Sequence, residues 1–188
     1  MKKYIAPLVA VLLISGACGN KKRPERIEMK SSEEEKTNVT TGGNILKLAD
    51  FTMKIPANWK KAKPSSEMRM MEFAIPGAEA NMAGFYFGNR PKMVDGNIER
   101  WRGQFTEQDS FDRKKLDEGP VFVKITGTYK KKPFPMAQKF TKAPGFMTLA
   151  AIVPSNQGPY FFKLVGKEDN LKKVEPDFMT FLKSYSKQ

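Results

Sequence analysis

The segment from Gly19 to Asn44 constrains this chain most, because it offers almost no large apolar side chain to a folded core. It is charged and rich in Ser, Thr and Gly, and a segment of that composition buries too little surface to offset the entropy of ordering. We therefore predict three parts: a signal peptide over 1–17, a lipidated cysteine with a flexible tether over 18–44, and one globular domain over 45–188. A domain of that length can build its own core.

The first segment has the organisation of a secretory signal. Two lysines precede an apolar run from Tyr4 to Ile14, and Ser-Gly-Ala follows. This order of charged, apolar and small residues is typical of signal peptides. The run is shorter than the roughly 20 residues that span a bilayer. We predict export to the cell envelope.

Cys18 is the single cysteine and follows that apolar run. The "SGAC" stretch resembles the lipobox of bacterial lipoproteins, in which the cysteine is acylated and becomes the mature N-terminus. Gly16 and Ala17 match it, whereas Ser15 stands where the family usually has Leu. Ser15 and Ala17 also fit the small-x-small rule of ordinary signal peptidase. We predict that Cys18 carries lipid and anchors the protein to a bacterial membrane, on the periplasmic side or at the cell surface; a soluble exported protein is the alternative.

The residue inventory limits the chemistry. The chain has no histidine, which removes the commonest general base and metal ligand, and one cysteine excludes an intrachain disulfide. No spacing of acids singles out a catalytic pair. We expect a non-catalytic binding or accessory module with no catalytic residue, metal or cofactor. An envelope enzyme that uses carboxylates or lysine is the alternative.

Several apolar runs predict strands. "ILKLADFTMK" (45–54) divides at Ala49–Asp50, "MRMMEFAIPG" (68–77) ends at Pro-Gly, and "NMAGFYFGN" (81–89) is apolar on both faces, as in a central strand. The alternation in 121–129 predicts a half-exposed strand with Lys124, Thr126 and Thr128 toward solvent. Residues 145–153 and 160–166 predict a hairpin at the sheet centre.

Two stretches have helical spacing. In 95–105 the apolar residues share one face, with Asp95 or Asn97 as the cap. The last segment repeats apolar residues from Leu171 to Tyr185, with Pro176 as its start or a kink. Together these patterns predict an α+β domain: an antiparallel sheet of six or seven strands, a middle helix and a C-terminal helix packed on it.

A set of motifs carries a family resemblance. The motifs are, in order, "FTMKIPANWKK", "SSEMRMMEFAIPG", "GFYFG", "NIERWRGQF", "ITGTY" and "GPYFFKLVG", and they span most of 51–185. "NIERWRGQF" and "GPYFFKLVG" are the most specific. In these motifs the chain resembles an uncharacterised family of exported bacterial lipoproteins. At fold level, the "FTMKIPANW" opening and the closing strand and helix are similar to the PsbP-like fold, named after an extrinsic subunit of photosystem II. That resemblance implies an antiparallel sheet flanked by helices and a binding or accessory role, and it implies no catalytic residues.

The formal net charge of +13 is concentrated in lysine runs, at 21–23, 60–63 and 130–132. Because an exported protein rarely meets nucleic acid, we expect no nucleic-acid partner. The chain is instead expected to meet anionic lipid, a cell-wall polymer or an acidic protein, so an electrostatic adaptor is a further alternative.

Aromatic residues near the middle helix give a guess at a ligand groove. It would lie between Trp101 and the strand around Phe85 and Phe87, with Arg100 and Arg102 as anion contacts at its rim.

Overall fold

The computed structural model describes residues 40–117, 119–134 and 136–188. The predicted signal peptide, Cys18 and the tether up to residue 39 lie outside these residues. Two helices are present, α1 (Met93–Arg102) and α2 (Glu168–Lys183). The strands are β1 (Thr40–Gly42), β2 (Ile45–Leu48), β3 (Phe51–Lys54), β4 (Lys60–Ala62), β5 (Met71–Ile75), β6 (Ala80–Tyr86), β7 (Phe105–Lys115), β8 (Val121–Lys131), β9 (Thr141–Val153), β10 (Tyr160–Lys167) and β11 (Ser186–Lys187).

Seven of these strands form the main sheet, in the order β4-β5-β6-β10-β9-β8-β7, and each neighbouring pair is antiparallel. The helices lie on opposite faces. Phe161 packs in the core cluster of α1, whereas its neighbour Phe162 packs in the cluster of α2, and successive strand residues face opposite sides. The predicted α+β class, with a seven-stranded antiparallel sheet, a middle helix and a C-terminal helix, is confirmed.

The centre of the sheet is the β9–β10 hairpin. Its strands pair from Tyr160 opposite Val153 to Lys167 opposite Phe146, and residues 155–159 form the turn. From Met147 to Val153 in β9, and over most of β10, the side chains are buried on both faces, which is why these sequences are apolar without strict alternation. The predicted central hairpin is confirmed.

Helix α2 covers one face of the main sheet together with β2, β3 and Trp59, whose apolar side chains belong to the same core cluster. Its apolar stripe is buried and consists of Leu171, Val174, Phe178, Phe181 and Leu182. Trp59 lies against this stripe, with its ring centroid 5.2 Å from that of Phe181. Pro176 lies inside the helix, so the expectation that the helix begins there is wrong. Burial of the apolar stripe outweighs the hydrogen bond that an interior proline removes.

Helix α1 is shorter and begins two residues before Asp95. Its N-cap is Lys92, with φ of 60°, so the predicted cap at Asp95 or Asn97 is wrong. Asn97 is buried within the helix, where its amide donates to the Met93 carbonyl at 2.9 Å. The helix ends at Gly103, and the chain enters β7 at Phe105.

Strand β8 is covered on both faces, so the predicted half-exposed strand is wrong. Lys124 forms an ion pair with Glu175 of α2 at 2.9 Å, and Thr126 is buried. The alternation predicts a solvent face, but Lys124 is matched by α2, and the Thr126 hydroxyl forms a hydrogen bond with the Ser110 hydroxyl of β7 at 2.7 Å. Within the described residues, no helix is long and apolar enough to cross a bilayer.

Sequence analysis missed two features of the β structure. A second sheet, β1-β2-β3-β11, holds the runs 45–48 and 51–54, and β1 falls within the segment assigned to the tether. Strand β7 is the exposed edge of the main sheet and is highly charged, a composition that protects edges but shows no apolar alternation. It approaches β8 most closely at Gly127, where φ is 144° and a Cβ would lie 2.1 Å from the Glu107 carbonyl oxygen. Only glycine fits there.

Candidate ligand-binding groove

A groove of about 1010 Å³ lies beside α1, on the sheet face that the short helix leaves uncovered. Its floor is formed by β5, β6 and β10. One wall is the end of α1 with the following turn, and the other is the connection between β8 and β9. The lining residues used below are Met68, Arg69, Glu72, Phe85, Arg100, Trp101, Gln104, Tyr129, Lys130, Lys131, Lys132, Phe134, Phe140 and Lys163.

Lys163 lies at the floor of the groove, on the central strand of the sheet. Its cross-strand neighbours are Ala83 on β6 and Ala150 on β9, and these small side chains leave space on either side of the lysine. Its ammonium donates a hydrogen bond to Gln104 Oε1. Among the described residues, no carboxylate lies within 4 Å of this ammonium.

The environment of Lys163 disfavours its charged form. Burial, together with the positive charges of Arg100 and Arg69, lowers the pKa of Lys163 to about 7. A lysine in such a site gains from any anion that supplies the missing negative charge. The floor of the groove therefore favours a ligand with a negative charge next to Lys163.

Arg100 adds a second uncompensated cation. Its guanidinium donates to Asn97 Oδ1, a neutral acceptor, and lies 5.6 Å from the centroid of the Phe87 ring. Burial lowers the pKa of Arg100, although an arginine stays charged at physiological pH. Because Asn97 is itself held by the Met93 carbonyl, the guanidinium is positioned before any ligand arrives.

The acidic residue of the floor, Glu72, is already engaged. It accepts hydrogen bonds from the Asn81 amide at 2.8 Å and the Ser65 N–H at 2.9 Å, and it forms an ion pair with Arg69 at 3.0 Å. Burial raises the pKa of Glu72, but these three partners together outweigh it and hold the pKa at about 2. Glu72 therefore stays ionised, and it neutralises Arg69 rather than Lys163.

The groove as a whole is basic and partly aromatic. Six basic residues line it against two acidic ones, Glu72 and Glu79. Lys130 donates to the Gly103 carbonyl at 2.7 Å, whereas Lys131 and Lys132 are exposed and have no carboxylate within 4 Å in the described part of the chain. Trp101, Phe85 and Tyr129 supply apolar surface beside these charges. An anion with an apolar or aromatic part matches both features.

The structure separates the five residues of the predicted groove. Arg100, Trp101 and Phe85 line it together. Phe87 is absent from the lining and stacks on Phe85, with ring centroids 5.8 Å apart. Arg102 is absent from the lining: it pairs with Glu99 of its own helix at 3.1 Å, and its guanidinium lies 4.6 Å from the centroid of the Phe111 ring on β7.

Sequence reasoning missed Lys163. Its signal is present in "YFFKLVG", where a lysine interrupts a strand that is apolar on both faces. A central strand has no solvent side, so a charge within it needs a groove or a partner.

The described residues do not assemble an acidic site. No group of three or more His, Cys, Asp or Glu side chains there is placed to hold a metal ion. Glu72 is the buried acid among them, and its oxygens are occupied as described above.

Comparison with known proteins shows similarity to a solved structure. The chain matches no family model and no curated protein, so membership of an exported lipoprotein family stays a prediction. The solution structure of cyanobacterial PsbP (CyanoP) from Synechocystis sp. PCC 6803 is similar over 93% of this chain and 99% of that chain, at 15% identity and a TM-score of 0.47.

Proposed function

We propose that this protein is a non-catalytic binding module whose ligand is a small anion, a phosphate or carboxylate, that carries an apolar or aromatic part. The observation that supports it best is the ammonium of Lys163, which lies at the floor of the groove with two arginines and without a carboxylate of its own. A buried cation without a counter-ion destabilises the free protein, and binding of an anion relieves that cost.

The apolar part of the ligand follows from the walls. Trp101, Phe85 and Tyr129 face the same space as the cations, and aromatic surface favours ligands that are more than a bare ion. The volume, about 1010 Å³, accommodates a molecule considerably larger than phosphate.

Calorimetric titration with three probes tests this function. Phenyl phosphate should bind more tightly than inorganic phosphate or phenol, since it alone satisfies both the cations and the aromatic walls. Lys163→Met and Arg100→Gln should each lower the affinity for phenyl phosphate by about tenfold or more, because each removes a charge-assisted hydrogen-bond donor.

The matched control is Lys173→Met. Lys173 is exposed on α2, which covers the opposite face of the sheet, and its loss removes the same charge from the chain. It should leave the affinity unchanged. Equal weakening by the Lys163 and Lys173 variants would show that only net charge attracts the probe, and the proposed site would fall.

The pH profile gives a second test. Benzenesulfonate keeps one negative charge throughout the neutral range, so its profile reports the protein. Because the pKa of Lys163 is about 7, the ammonium loses its proton as pH rises, and affinity should fall several-fold between pH 6 and pH 9. The Lys163→Met variant should show a flat profile.

We further propose that the module acts in the cell envelope, anchored through acylated Cys18. This rests on the signal-like segment 1–17 and the lipobox-like end at Gly16–Cys18. Intact-mass measurement of membrane-extracted protein tests it. A mass that includes acyl chains on Cys18 supports the anchor, and the mass of unmodified residues 18–188 contradicts it.

An enzyme that uses Lys163 is the second candidate, because an amine with a pKa near 7 is partly neutral and nucleophilic. Such an amine condenses with a ketone to form an imine and a molecule of water. The imine then acidifies the C–H bonds of the neighbouring carbon. The discriminating measurement is hydrogen–deuterium exchange at the methyl group of pyruvate in D₂O. Exchange that depends on Lys163 supports the enzyme, and exchange no faster than with Lys163→Met supports the binding module.

A further inference from the structure

Exposed apolar side chains line the groove at Met68, Phe134 and Phe140, and a fourth, Met136, belongs to the same β8–β9 connection as Phe134 and Phe140. Among the described residues, six large apolar side chains are exposed, and four of them belong to this set: Met68 (67% exposed), Phe134 (61%), Met136 (84%) and Phe140 (41%). We call these four the apolar rim. Met68 precedes β5, and the other three belong to the connection between β8 and β9. Exposed apolar side chains gathered in one place mark an interaction surface.

The charges on the β8–β9 connection, which carries three of the four rim residues, have one sign. Lys131, Lys132 and Lys139 are exposed and lack a carboxylate within 4 Å among the described residues, and Lys130 lies 5.9 Å from the centroid of the Phe140 ring. No aspartate or glutamate occurs in the sequence between Glu118 and Glu168. The rim therefore combines apolar tips with a surrounding cationic field.

We infer that the apolar rim and its lysines dock the protein on an anionic lipid bilayer, with Phe134 and Met136 inserted at the level of the head groups. Interfacial binding requires apolar side chains to enter the acyl boundary and basic side chains to meet lipid phosphates, and this surface supplies both. The inference is independent of the groove's ligand and of the acylation of Cys18.

The same charges argue against a second copy of this chain as the occupant. Two copies that met through the apolar rim would bring their lysines together, and like charges at an interface oppose association. An anionic surface satisfies all of them at once.

The experiment places a reporter on the rim. Cys18→Ser removes the single cysteine of the full chain, and Met136→Cys then offers one site for an environment-sensitive fluorophore. With vesicles of equal parts phosphatidylglycerol and phosphatidylcholine, the emission should shift to shorter wavelength. Vesicles of phosphatidylcholine alone should give no shift. The control label at Lys173→Cys, on α2, should not respond to either vesicle.

Charge variants test the lysines separately. The Lys131→Gln, Lys132→Gln double variant should weaken the fluorescence-monitored binding at low salt by about 25-fold, that is, about fivefold for each lysine. The Lys173→Gln, Lys183→Gln pair removes the same charge from α2 and should change it by no more than about twofold, since those lysines are distant from the membrane face.

Three outcomes would overturn the inference. If the emission of the label at position 136 does not shift with anionic vesicles, the side chain does not insert. If the emission shifts equally with both vesicle types, the lysines do not contribute to binding. The third outcome is that the label at position 136 does not respond to vesicles but cross-links to a protein in envelope extracts. The apolar rim would then be a protein interface. Phenyl phosphate binding would survive any of these, so failure of the docking surface and failure of the groove are distinguishable.

Discussion

The two faces of the main sheet differ in how completely they are covered. Helix α2 has 16 residues and buries its face in a continuous apolar core, whereas α1 has 10 residues and leaves space beside it. The face under α2 carries Phe162 and Leu164 from β10, and the face under α1 carries Phe161 and Lys163. One strand thus contributes core on one side and a cation on the other. The α2 face is also covered by β2 and β3, whereas no comparable segment of the described chain covers the α1 face, so the groove lies on the less covered side.

The largest effect is expected on the covered face. Phe178 is fully buried and its ring lies 6.2 Å from that of Phe122 and 6.5 Å from that of Trp59. Phe178→Ala should lower the free energy of unfolding by about 4 kcal/mol, through lost burial and the cavity that remains. Urea unfolding followed by tryptophan fluorescence measures it. A loss below about 1 kcal/mol would show that this face is no better packed than the groove.

Glu72 tests the polar floor of the open face. Glu72→Gln replaces an ionised acceptor with an amide that cannot accept from both Asn81 and Ser65, and it leaves Arg69 unpaired. At pH 7 the expected loss is about 2 kcal/mol in the free energy of unfolding.

The pH dependence of that loss has a definite sign. The pKa of Glu72 is about 2 in the folded state against an ordinary value of 4.5, so its stabilisation is present above pH 4.5 and disappears as pH falls toward 2. Urea unfolding at pH 7, 4 and 3 should show the variant approaching the parent. A difference that stays constant over this range would assign the loss to packing instead.

Lys163 should behave in the opposite way. Because its pKa is lowered from 10.5 to about 7, the cost of its charge is fully present below pH 7 and is relieved as pH rises toward 10.5. Lys163→Met should therefore be more stable than the parent, by on the order of 2 kcal/mol at pH 6, with a gain that shrinks between pH 7 and 10.5. Thermal unfolding at pH 6, 8 and 10 measures the gain. Loss of stability at pH 6 would contradict an uncompensated charge.

The smallest change is expected for Arg102→Gln, which tests whether the groove ends before Arg102. Its ion pair with Glu99 is exposed, so Arg102→Gln should change the free energy of unfolding by less than about 0.5 kcal/mol. It should leave phenyl phosphate binding unchanged, in contrast to Arg100→Gln. Titration of both variants checks this; equal weakening by the two would mean that the groove extends around the end of α1.

The sequence predicts the elements that carry strong periodicity or long apolar runs. The central hairpin and the apolar stripe of α2 are of this kind, because burial on both faces or on one helical face leaves a direct pattern. Strand β7 has no such pattern, because its residues are exposed and charged. It is extended because it pairs with β8.

The candidate site was only partly predictable. The predicted groove sets Arg100 and Trp101 against the strand of Phe85, and these three residues line one groove in the structure. No local pattern in the sequence places that helix beside that strand. The direction of Arg102 depends on Glu99 and on β7, and the role of Lys163 depends on Ala83 and Ala150 in adjacent strands. Those neighbours are set by long-range register, which no local pattern encodes.

The sequence by itself determined the signal-like start, the α+β class, the excess of positive charge and the lack of histidine chemistry, because these follow from composition and local periodicity. The tertiary structure decided which face of the sheet stays open, which cations meet there and where the apolar rim lies. The physical reason is that coverage and cross-strand register arise from contacts between residues distant in the chain. A lysine in "YFFKLVG" becomes the floor of a groove only once a short helix leaves that face uncovered.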